Sequence, residues 1–194
     1  MVDAPRLVLA SASPRRARIL AELGIPFRAV VSHVDESPLP GEEPAASAER
    51  LARVKAASVA GSESLPVIGA DTIVVCDGRV LGKPASPAGA ADALRLLAGR
   101  THEVLTGVCV IAGGVARSGV ERTGVTFAPM TEAEIAWYVS TGEPLDKAGA
   151  YHIDGRGGLF VSAVSGSPSN VAGLPILLFR RLAREAGLTS LGLP

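Results

Sequence analysis

The spacing of apolar residues along the chain predicts alternating strands and helices, followed by a long antiparallel pair of strands. Short apolar runs over residues 6–10 and 27–31 are typical of buried strands. The longer runs Thr101–Ala112 and Val115–Phe127, joined by two glycines, predict the antiparallel pair. One later helix is predicted from Ser86 to Gly99, and another from the capping box at Thr131 to near Thr141. A strand is predicted over residues 159–164. A last helix is predicted from Ser169 to Gly187, with a disturbance near Gly173 and Pro175. This order favours an α/β fold, with a mixed β-sheet and helices on both faces.

The first helix begins at a turn that carries both hydroxyls and cations. Ser13 is predicted as its N-cap and Pro14 as its first helical position, and Gly24 ends it. Arg15 and Arg16 follow within the first turn. Free backbone N–H groups at a helix start attract anions, and guanidinium groups bind phosphate. The turn therefore predicts an anion site, although a capped helix with solvated arginines would have the same sequence.

A second helix, over residues 46–60, follows an acidic, proline-rich loop. Its spacing predicts that Leu51 and Val54 face the core, with Lys55 beside that face. Glu36 lies at the start of the loop, just after the second strand. Acidic loops are usually only solvated, but a carboxylate beside a phosphate site can hold a divalent ion.

The segment 67–84 is predicted to form a β-hairpin around Asp77-Gly78. Its first strand is apolar at nearly every position except Asp71, and a buried carboxylate needs a cation, a metal or hydrogen bonds. A two-residue loop would place Asp71 opposite Pro84, whereas a three-residue loop would place it opposite Lys83. Only the second register brings a cation to the acid, so we expect the three-residue loop. A plain ion pair within the hairpin is the alternative interpretation.

Composition narrows the function classes. The formal net charge is zero over 194 residues, so an anionic ligand must be bound by a local cluster rather than by a global field. The chain lacks a run of transmembrane length and a signal-peptide layout at its start. Cys76 and Cys109 lie in apolar runs and are typical of buried free thiols in a reducing cytoplasm. We therefore expect a cytoplasmic protein that does not act on membranes.

Several common catalytic motifs are absent from the sequence. There is no P-loop pattern, no G-x-G-x-x-G, no H-E-x-x-H and no C-x-x-C, and His33, His102 and His152 are too scattered to predict a zinc site. Lysines make up only three of the 19 Lys and Arg residues: Lys55, Lys83 and Lys147. What remains is a set of cations and carboxylates on separate strand ends and loops, which suits a triphosphate and its metal ion.

Eight segments together resemble the motifs of the Maf family of nucleoside triphosphate pyrophosphatases. They are LASASPRR (9–16), VDE (34–36), the helix with Lys55, GADTIV (69–74), GKP (82–84), THEVLTGV (101–108), DKAGAYHIDG (146–155) and SNVAGLP (169–175). The resemblance implies one domain over residues 1–194, with an elongated mixed sheet and two lobes around a central cleft, similar to inosine triphosphate pyrophosphatases. It also implies hydrolysis of a nucleoside triphosphate to the monophosphate and pyrophosphate with a divalent cation.

The resemblance also assigns roles by motif position. Implied catalytic residues are Glu36, Lys55, Asp71 and Lys83; implied phosphate-binding residues are Ser13 and Arg16; implied base-selecting residues are Arg15, Thr72 and Asp154. Glu36 and Asp71 would hold Mg²⁺ or Mn²⁺ through oxygen ligands, and the two lysines would stabilise charge as pyrophosphate leaves. Asp71 is also the best candidate for the general base. The sequence leaves open whether it takes a proton or only binds the metal.

The base preference rests on two positions. Arg15 resembles the branch acting on dTTP and UTP, because the branch acting on 7-methyl-GTP has an aromatic residue there. Asp154 departs from the glutamine usual in the pyrimidine branch; an ionised carboxylate only accepts hydrogen bonds, so it can bind the N3–H of uracil but also suits guanine. We expect dTTP and UTP, with a broader or modified-base preference as the alternative.

Two other function classes are compatible with parts of the sequence. One is a nucleotide-binding regulator of cell division without significant catalysis, because the family is linked to septum formation. The other is a nucleic-acid-binding protein, which the zero net charge and the few aromatic residues disfavour. The expected partner is therefore a nucleoside triphosphate rather than a nucleic acid or a membrane, and the family often forms homodimers.

Overall fold

The structure is a computed structural model that describes residues 4–188 and Leu191. The strands are β1 (Leu7–Ala10), β2 (Phe27–Val30), β3 (Val67–Cys76), β4 (Arg79–Leu81), β5 (Thr101–Ala112), β6 (Val115–Phe127) and β7 (Val161–Ser165). The α-helices are α1 (Pro14–Glu22), α2 (Pro44–Ala60), α3 (Pro87–Leu97), α4 (Glu132–Ser140), α5 (Pro168–Val171) and α6 (Ile176–Glu185). Three short 3₁₀ helices span Glu143–Asp146, Ala148–Ala150 and Arg156–Phe160. Within the described residues, no helix is both long and apolar enough to cross a membrane.

Within the described part of the chain, seven strands form one mixed sheet. Its order is β2-β1-β3-β5-β6-β7, and β4 pairs with β3. β1 runs parallel to both β2 and β3, whereas β3–β4 and β6–β7 are antiparallel. The predicted α/β class with a mixed sheet and helices is thereby confirmed. The predicted bounds of β5 and β6 are also those observed.

The hairpin β3–β4 contradicts the predicted register. Its paired residues are Val74 with Leu81 and Cys76 with Arg79, so the loop contains only Asp77 and Gly78. Both loop residues have positive φ, 48° and 73°, as a tight two-residue turn requires. The three-residue loop was therefore wrong, because the turn chemistry sets the register and the charge of Asp71 does not. No ladder position brings Lys83 opposite Asp71, so that argument for their pairing is removed.

Helix starts follow the predicted caps at three places and differ at the last. Ser13 accepts from the backbone of α1, Ser86 does so for α3, and Thr131 forms the capping box of α4. Near the C-terminus the cap is Ser167 instead of Ser169, and it starts the short helix α5. A break before α6 follows, at the disturbance predicted near Pro175.

Helix α2 is rotated relative to the prediction. Val54 is exposed, whereas Lys55 is buried with Leu51. Three of the seven buried residues of α2 are alanines, Ala48, Ala52 and Ala56, and their small size lets the helix backbone lie directly on the sheet. A Cβ atom on Gly69 of β3 would lie 2.3 Å from the carbonyl oxygen of Ala52. The inward assignment of Leu51 is therefore confirmed and that of Val54 was wrong, because the face that packs against the sheet runs through Ala52 and Ala56 instead.

The described chain divides into two compact units. The first contains residues 4–71, 106–121 and 173–188 with Leu191, and the second contains residues 72–105 and 122–172. Each has its own apolar core, built around Leu20 and Phe179 in the first and around Phe127 and Tyr138 in the second. Both cysteines are buried free thiols, as predicted. The single domain over residues 1–194 stays a prediction.

Candidate active site

Three of the predicted catalytic side chains meet in the first unit. The ammonium of Lys55 donates to Asp71 Oδ1 at 2.6 Å and pairs with Glu36 Oε1 at 2.8 Å. Lys55 and Asp71 are buried, with 6% and 8% of their surface exposed, whereas Glu36 is exposed. A buried ion pair of this kind is costly unless its geometry is good, so it is weak evidence of a purely stabilising role. The cluster links two carboxylates and one lysine from three separate elements.

The position of Asp71 follows from the pairing of β1 with β3. Val8 and Leu9 pair in parallel with Val67 and Ile68. Asp71 therefore lies just beyond the paired part of β3, level with the turn that follows β1. Ligand sites in sheets with parallel strands commonly form beyond the carboxyl ends of the strands. The carboxylate is accordingly held by a rigid strand on the side of the predicted anion site.

The loop that carries Glu36 is attached to the same helix as Lys55. Arg50 of α2 binds both carboxylate oxygens of Glu42, at 2.7 and 2.8 Å, and donates to the carbonyl of Ser37 at 3.3 Å. The Arg50 guanidinium lowers the pKa of Glu42 to about 2. Such bidentate bonds are stronger and more directional than a single contact. Arg50 thereby holds the segment that follows Glu36 next to α2.

The predicted anion turn has a network of its own. Ser13 caps α1 through a bond from the backbone N–H of Arg16 at 3.5 Å. The hydroxyl of Ser11 accepts from the Ser13 N–H and from Arg16 Nη1, both at 3.1 Å. Arg16 Nε donates to the carbonyl of Gly173 at 2.8 Å. The guanidinium is therefore fixed from two sides, while the start of α1 provides backbone donors of the kind that bind anions.

The electrostatics of Arg16 connect this turn to the carboxylates. Burial lowers the pKa of Arg16; the charges of Asp71 and Glu36 oppose that effect, and the charge of Arg15 adds to it. These charges all belong to the first unit. The structure therefore brings Ser13, Arg16 and the Lys55 cluster into one electrostatic environment.

Of the four remaining predicted residues, three lie in the second unit and one, Arg15, lies in the first. Thr72 is half-buried in β3, Lys83 is exposed just after β4, and Asp154 is exposed in the turn before the 3₁₀ helix Arg156–Phe160. Arg15 is half-buried in the first turn of α1, in the first unit. The roles of Arg15, Thr72, Lys83 and Asp154 stay predictions.

The donor set of the cluster suits a hard divalent cation. Two carboxylates bind the same ammonium group, Lys55 Nζ: Glu36, which precedes Lys55 in the chain, and Asp71, which follows it. Within residues 4–188 and 191, no group of three or more His, Cys, Asp or Glu side chains could hold a metal ion. Mg²⁺ commonly binds one or two carboxylates and fills its other positions with water and substrate phosphates. Glu36 and Asp71 fit that pattern.

Three supporting contacts were not predicted. Ser11 and the carbonyl of Gly173 orient Arg16, and Arg50 holds the loop after Glu36. Ser11 lies in the motif LASASPRR and Gly173 in the motif SNVAGLP, so these two motifs are the sequence signal for the contacts. The sequence separation of 157 residues between Arg16 and Gly173 concealed their contact.

The fold and the site define a mixed α/β protein with a lysine–carboxylate cluster and, beside it, the predicted anion turn that carries Arg16. The sequence model of the Maf-like protein family matches residues 6–186. This chain belongs to the Maf family, as its motifs predicted.

Relatives and a solved structure agree with this membership. A dTTP/UTP pyrophosphatase of Moorella thermoacetica is 53% identical over 186 residues, covering 94% of this chain and 96% of that protein. A dTTP/UTP pyrophosphatase of Deinococcus radiodurans is 47% identical over 190 residues and covers 97% of each chain. The solved structure of the Staphylococcus aureus Ham1 protein matches with a TM-score of 0.52 at 15% identity, over 92% of this chain and 98% of that one. At that identity the Ham1 likeness supports the fold alone.

Proposed function

We propose that this chain is a nucleoside triphosphate pyrophosphatase that hydrolyses dTTP and UTP to the monophosphate and pyrophosphate. The observation that carries the proposal is the contact of Lys55 with both Asp71 and Glu36, next to the arginine-bearing turn. Relatives about half identical over nearly the whole chain bear the name of that activity. A lysine beside two carboxylates supplies the charge stabilisation and the base that cleavage of a phosphoanhydride uses.

The anion turn would bind the phosphate chain. Arg16 keeps a fixed orientation through Ser11 and Gly173, so its guanidinium is preorganised toward phosphate oxygens. Ser13 and the N-terminus of α1 would contribute backbone N–H donors beside it. Positioning matters here because phosphoryl transfer depends mainly on alignment and charge stabilisation.

The cluster would act at the α-phosphorus. Asp71, held rigidly in β3, would orient the attacking water and accept its proton. Lys55 would stabilise negative charge on the phosphates as pyrophosphate leaves, and Lys83 is assigned the same role by its motif. A bound Mg²⁺ or Mn²⁺ would supply further charge neutralisation at the phosphate oxygens. Glu36 and Asp71 are the residues proposed to hold it.

Base choice is assigned to the motif positions Arg15, Thr72 and Asp154. The side-chain oxygens of Asp154 would accept the N3–H of uracil or thymine, and a backbone N–H or a water molecule would serve O4. The same carboxylate would face the N3 lone pair of cytosine, which repels it. Discrimination between UTP and CTP is therefore the most direct measure of this assignment.

The test is a substrate panel with the purified protein. Release of pyrophosphate is measured with dTTP, UTP, CTP, GTP, 7-methyl-GTP and 5-methyl-UTP, in Mg²⁺ and in Mn²⁺. Hydrolysis of UTP in ¹⁸O-labelled water is expected to label UMP, because the attack occurs at the α-phosphorus. Release of UDP and inorganic phosphate, or an absence of turnover with every substrate, would contradict the proposal. A preference for 7-methyl-GTP would keep the activity and overturn the base assignment.

The remaining expectations are also proposals. We expect a cytoplasmic enzyme that forms a homodimer and does not bind nucleic acid. Sedimentation equilibrium tests the oligomeric state, and a salt titration of DNA binding tests the last expectation, since phosphate contacts weaken steeply with salt.

A further inference from the structure

The carboxylate of Glu143 is bound at the base of the loop that carries Asp154. Glu143 Oε1 accepts from the hydroxyl of Tyr138 at 2.7 Å and from the N–H of Gly157 at 3.0 Å. Its second oxygen, Oε2, accepts from the N–H of Arg156 at 3.2 Å. These residues all belong to the second unit. Glu143 thus holds the C-terminal end of the loop through two backbone bonds.

Tyr138 holds the other end of the same loop. Its hydroxyl accepts from the N–H of His152 at 3.1 Å while it donates to Glu143. The Glu143–Tyr138 pair therefore fixes residues 152 and 156–157, and Asp154 lies between them. Tyr138 is fully buried in α4, so the pair connects the loop to the core of the unit.

Glycines make this close attachment possible. A Cβ atom on Gly157 would lie 2.5 Å from the Tyr138 hydroxyl, and one on Gly155 would lie 2.7 Å from Glu143 Oε2. Contacts that short do not occur for real Cβ atoms. The Gly-rich segment is accordingly packed closely against the Glu143–Tyr138 pair.

Charge reinforces the attachment. Burial acts to raise the pKa of Glu143, but the bonds from Tyr138, Gly157 and Arg156 outweigh it and lower that pKa. Burial, followed by the bond to Glu143, raises the pKa of Tyr138, so the phenol remains a donor at neutral pH. Hydrogen bonds that involve an ionised acceptor are shorter and stronger than neutral ones.

We propose that Glu143 is a positioning residue for base selection, which acts by holding the Asp154 loop through Tyr138, Arg156 and Gly157. The inference rests on the base role assigned to Asp154 in the proposed function. A carboxylate held in line with N3 accepts from uracil and repels cytosine. A loosened loop would let the same carboxylate reach the N4 amino group of cytosine, so the penalty against CTP would fall.

The experiment compares Glu143→Gln with wild type, using kcat and KM for UTP and CTP. The amide keeps one acceptor oxygen but replaces the other with a donor, which cannot bind a backbone N–H. We expect the ratio of kcat/KM for UTP over CTP to fall about tenfold, because small misplacements of a recognition group are costly. The KM for UTP should rise while kcat stays within about twofold, since chemistry is not touched.

The matched control is Glu134→Gln. Glu134 also accepts a backbone bond in the second unit, from Thr131 at 2.7 Å, but it caps α4 and does not bind the Asp154 loop. The Glu134→Gln variant should have a lower melting temperature but an unchanged ratio of kcat/KM for UTP over CTP. Tyr138→Phe provides a second test variant, because it removes the bonds to Glu143 and His152 and should lower the ratio as well.

A double-mutant cycle separates the possible failures. In an Asp154→Ala background, Glu143→Gln should change the ratio no further, because residues that act through one another are not additive. If Asp154→Ala changes the ratio but Glu143→Gln only lowers the melting temperature, Glu143 has a structural role. That outcome overturns the inference about Glu143 and leaves the base assignment of Asp154 intact. If Asp154→Ala leaves both ratio and turnover intact, the base assignment of the proposed function fails and the inference fails with it.

Discussion

Ala52 of α2 and Gly69 of β3 touch through their backbones. A methyl group on Gly69 would lie 2.3 Å from the Ala52 carbonyl oxygen and 2.7 Å from the Ala56 nitrogen. The same helix approaches Gly107 of β5, where a Cβ would lie 2.1 Å from the Ala48 carbonyl oxygen. This packing lets a lysine on the helix reach a carboxylate on the strand. The contact between Lys55 and Asp71 therefore depends on the close approach of α2 to the sheet.

Gly69→Ala should damage both stability and activity. The added methyl group has no space, so α2 must move outward, and overpacking of this kind costs about 1–3 kcal/mol of unfolding free energy. The shift should also lengthen the contact between Lys55 and Asp71 and lower kcat. Urea unfolding and UTP hydrolysis measure the two effects.

Gly61→Ala is the control for that substitution. Gly61 follows α2 with an ordinary φ of −64°, and nothing lies within 4 Å of its Cβ position. Its turnover should equal that of wild type, and its stability should be equal or slightly higher, because alanine restricts the unfolded chain. Equal stability of Gly69→Ala and Gly61→Ala would contradict the close packing.

Asp71→Asn should lose turnover while it retains nucleotide binding. The amide keeps the shape of the side chain but accepts no proton, so kcat should fall at least about 100-fold. The Kd for a non-hydrolysable UTP analogue should change little. Near-normal kcat would refute the catalytic role. The exposed Asp77→Asn variant is the control, because Asn tolerates the positive φ of this turn position.

Metal binding by Asp71→Asn separates the two roles of the acid. Mn²⁺ titrations followed by electron paramagnetic resonance report affinity independently of turnover. Retained affinity together with lost turnover would assign Asp71 as the general base. Loss of both would assign it as a metal ligand.

Lys55→Met should bind Mn²⁺ more tightly than wild type. The Lys55 ammonium lies within 2.8 Å of oxygens from both Glu36 and Asp71, so it competes with a divalent ion for them. We expect the Kd for Mn²⁺ to fall about tenfold, and the melting temperature of the variant to depend on metal, because ligands stabilise the folded state they bind. Weaker binding would show that Lys55 orients the carboxylates for the metal.

The control for this variant is Lys147→Met. Lys147 is also buried and paired with a carboxylate, Asp146, but it lies in the second unit. Its removal should lower stability without changing Mn²⁺ affinity. A matching rise in affinity would indicate a nonspecific effect of lost positive charge.

Sequence patterns predicted those parts of the fold that local chemistry determines. The bounds of β5 and β6 follow from long apolar runs with a Gly-Gly turn, and Ser13 and Thr131 cap helices by bonds that span three residues. The hairpin loop was wrong because the acid was matched to the nearest lysine along the chain. Its partner is Lys55, 16 residues earlier and on a helix.

Long-range packing explains what sequence could not predict. Alanines are weakly hydrophobic, so the sequence pattern of α2 predicted Val54, rather than Ala52 and Ala56, to face the core. The structure buries the two alanines and leaves Val54 exposed. The contact of Arg16 with Gly173 likewise depends on the tertiary fold. The motifs predicted which residues belong to the candidate site, but only the structure shows which of these residues contact one another.

His102 should make stability depend on pH. It is buried, and its Nε2 lies 2.9 Å from the Tyr151 hydroxyl. Burial lowers its pKa from 6.5 to about 4, so between these values the unfolded state binds more protons than the folded state. The free energy of unfolding should therefore fall as pH falls from 6.5 toward 4, by up to about 3 kcal/mol.

His102→Gln tests this sign directly. Glutamine can still hydrogen-bond Tyr151 but does not titrate, so the variant should be less stable at pH 8 and flatter between pH 6.5 and 5. Urea unfolding at several pH values gives the difference in slope from wild type, and staying above pH 5 excludes most carboxylate titration. The His33→Gln variant, at an exposed position, is the control for replacement of a surface imidazole. An equal slope in His102→Gln and wild type would mean that the buried imidazole is not the group that takes up the proton on unfolding.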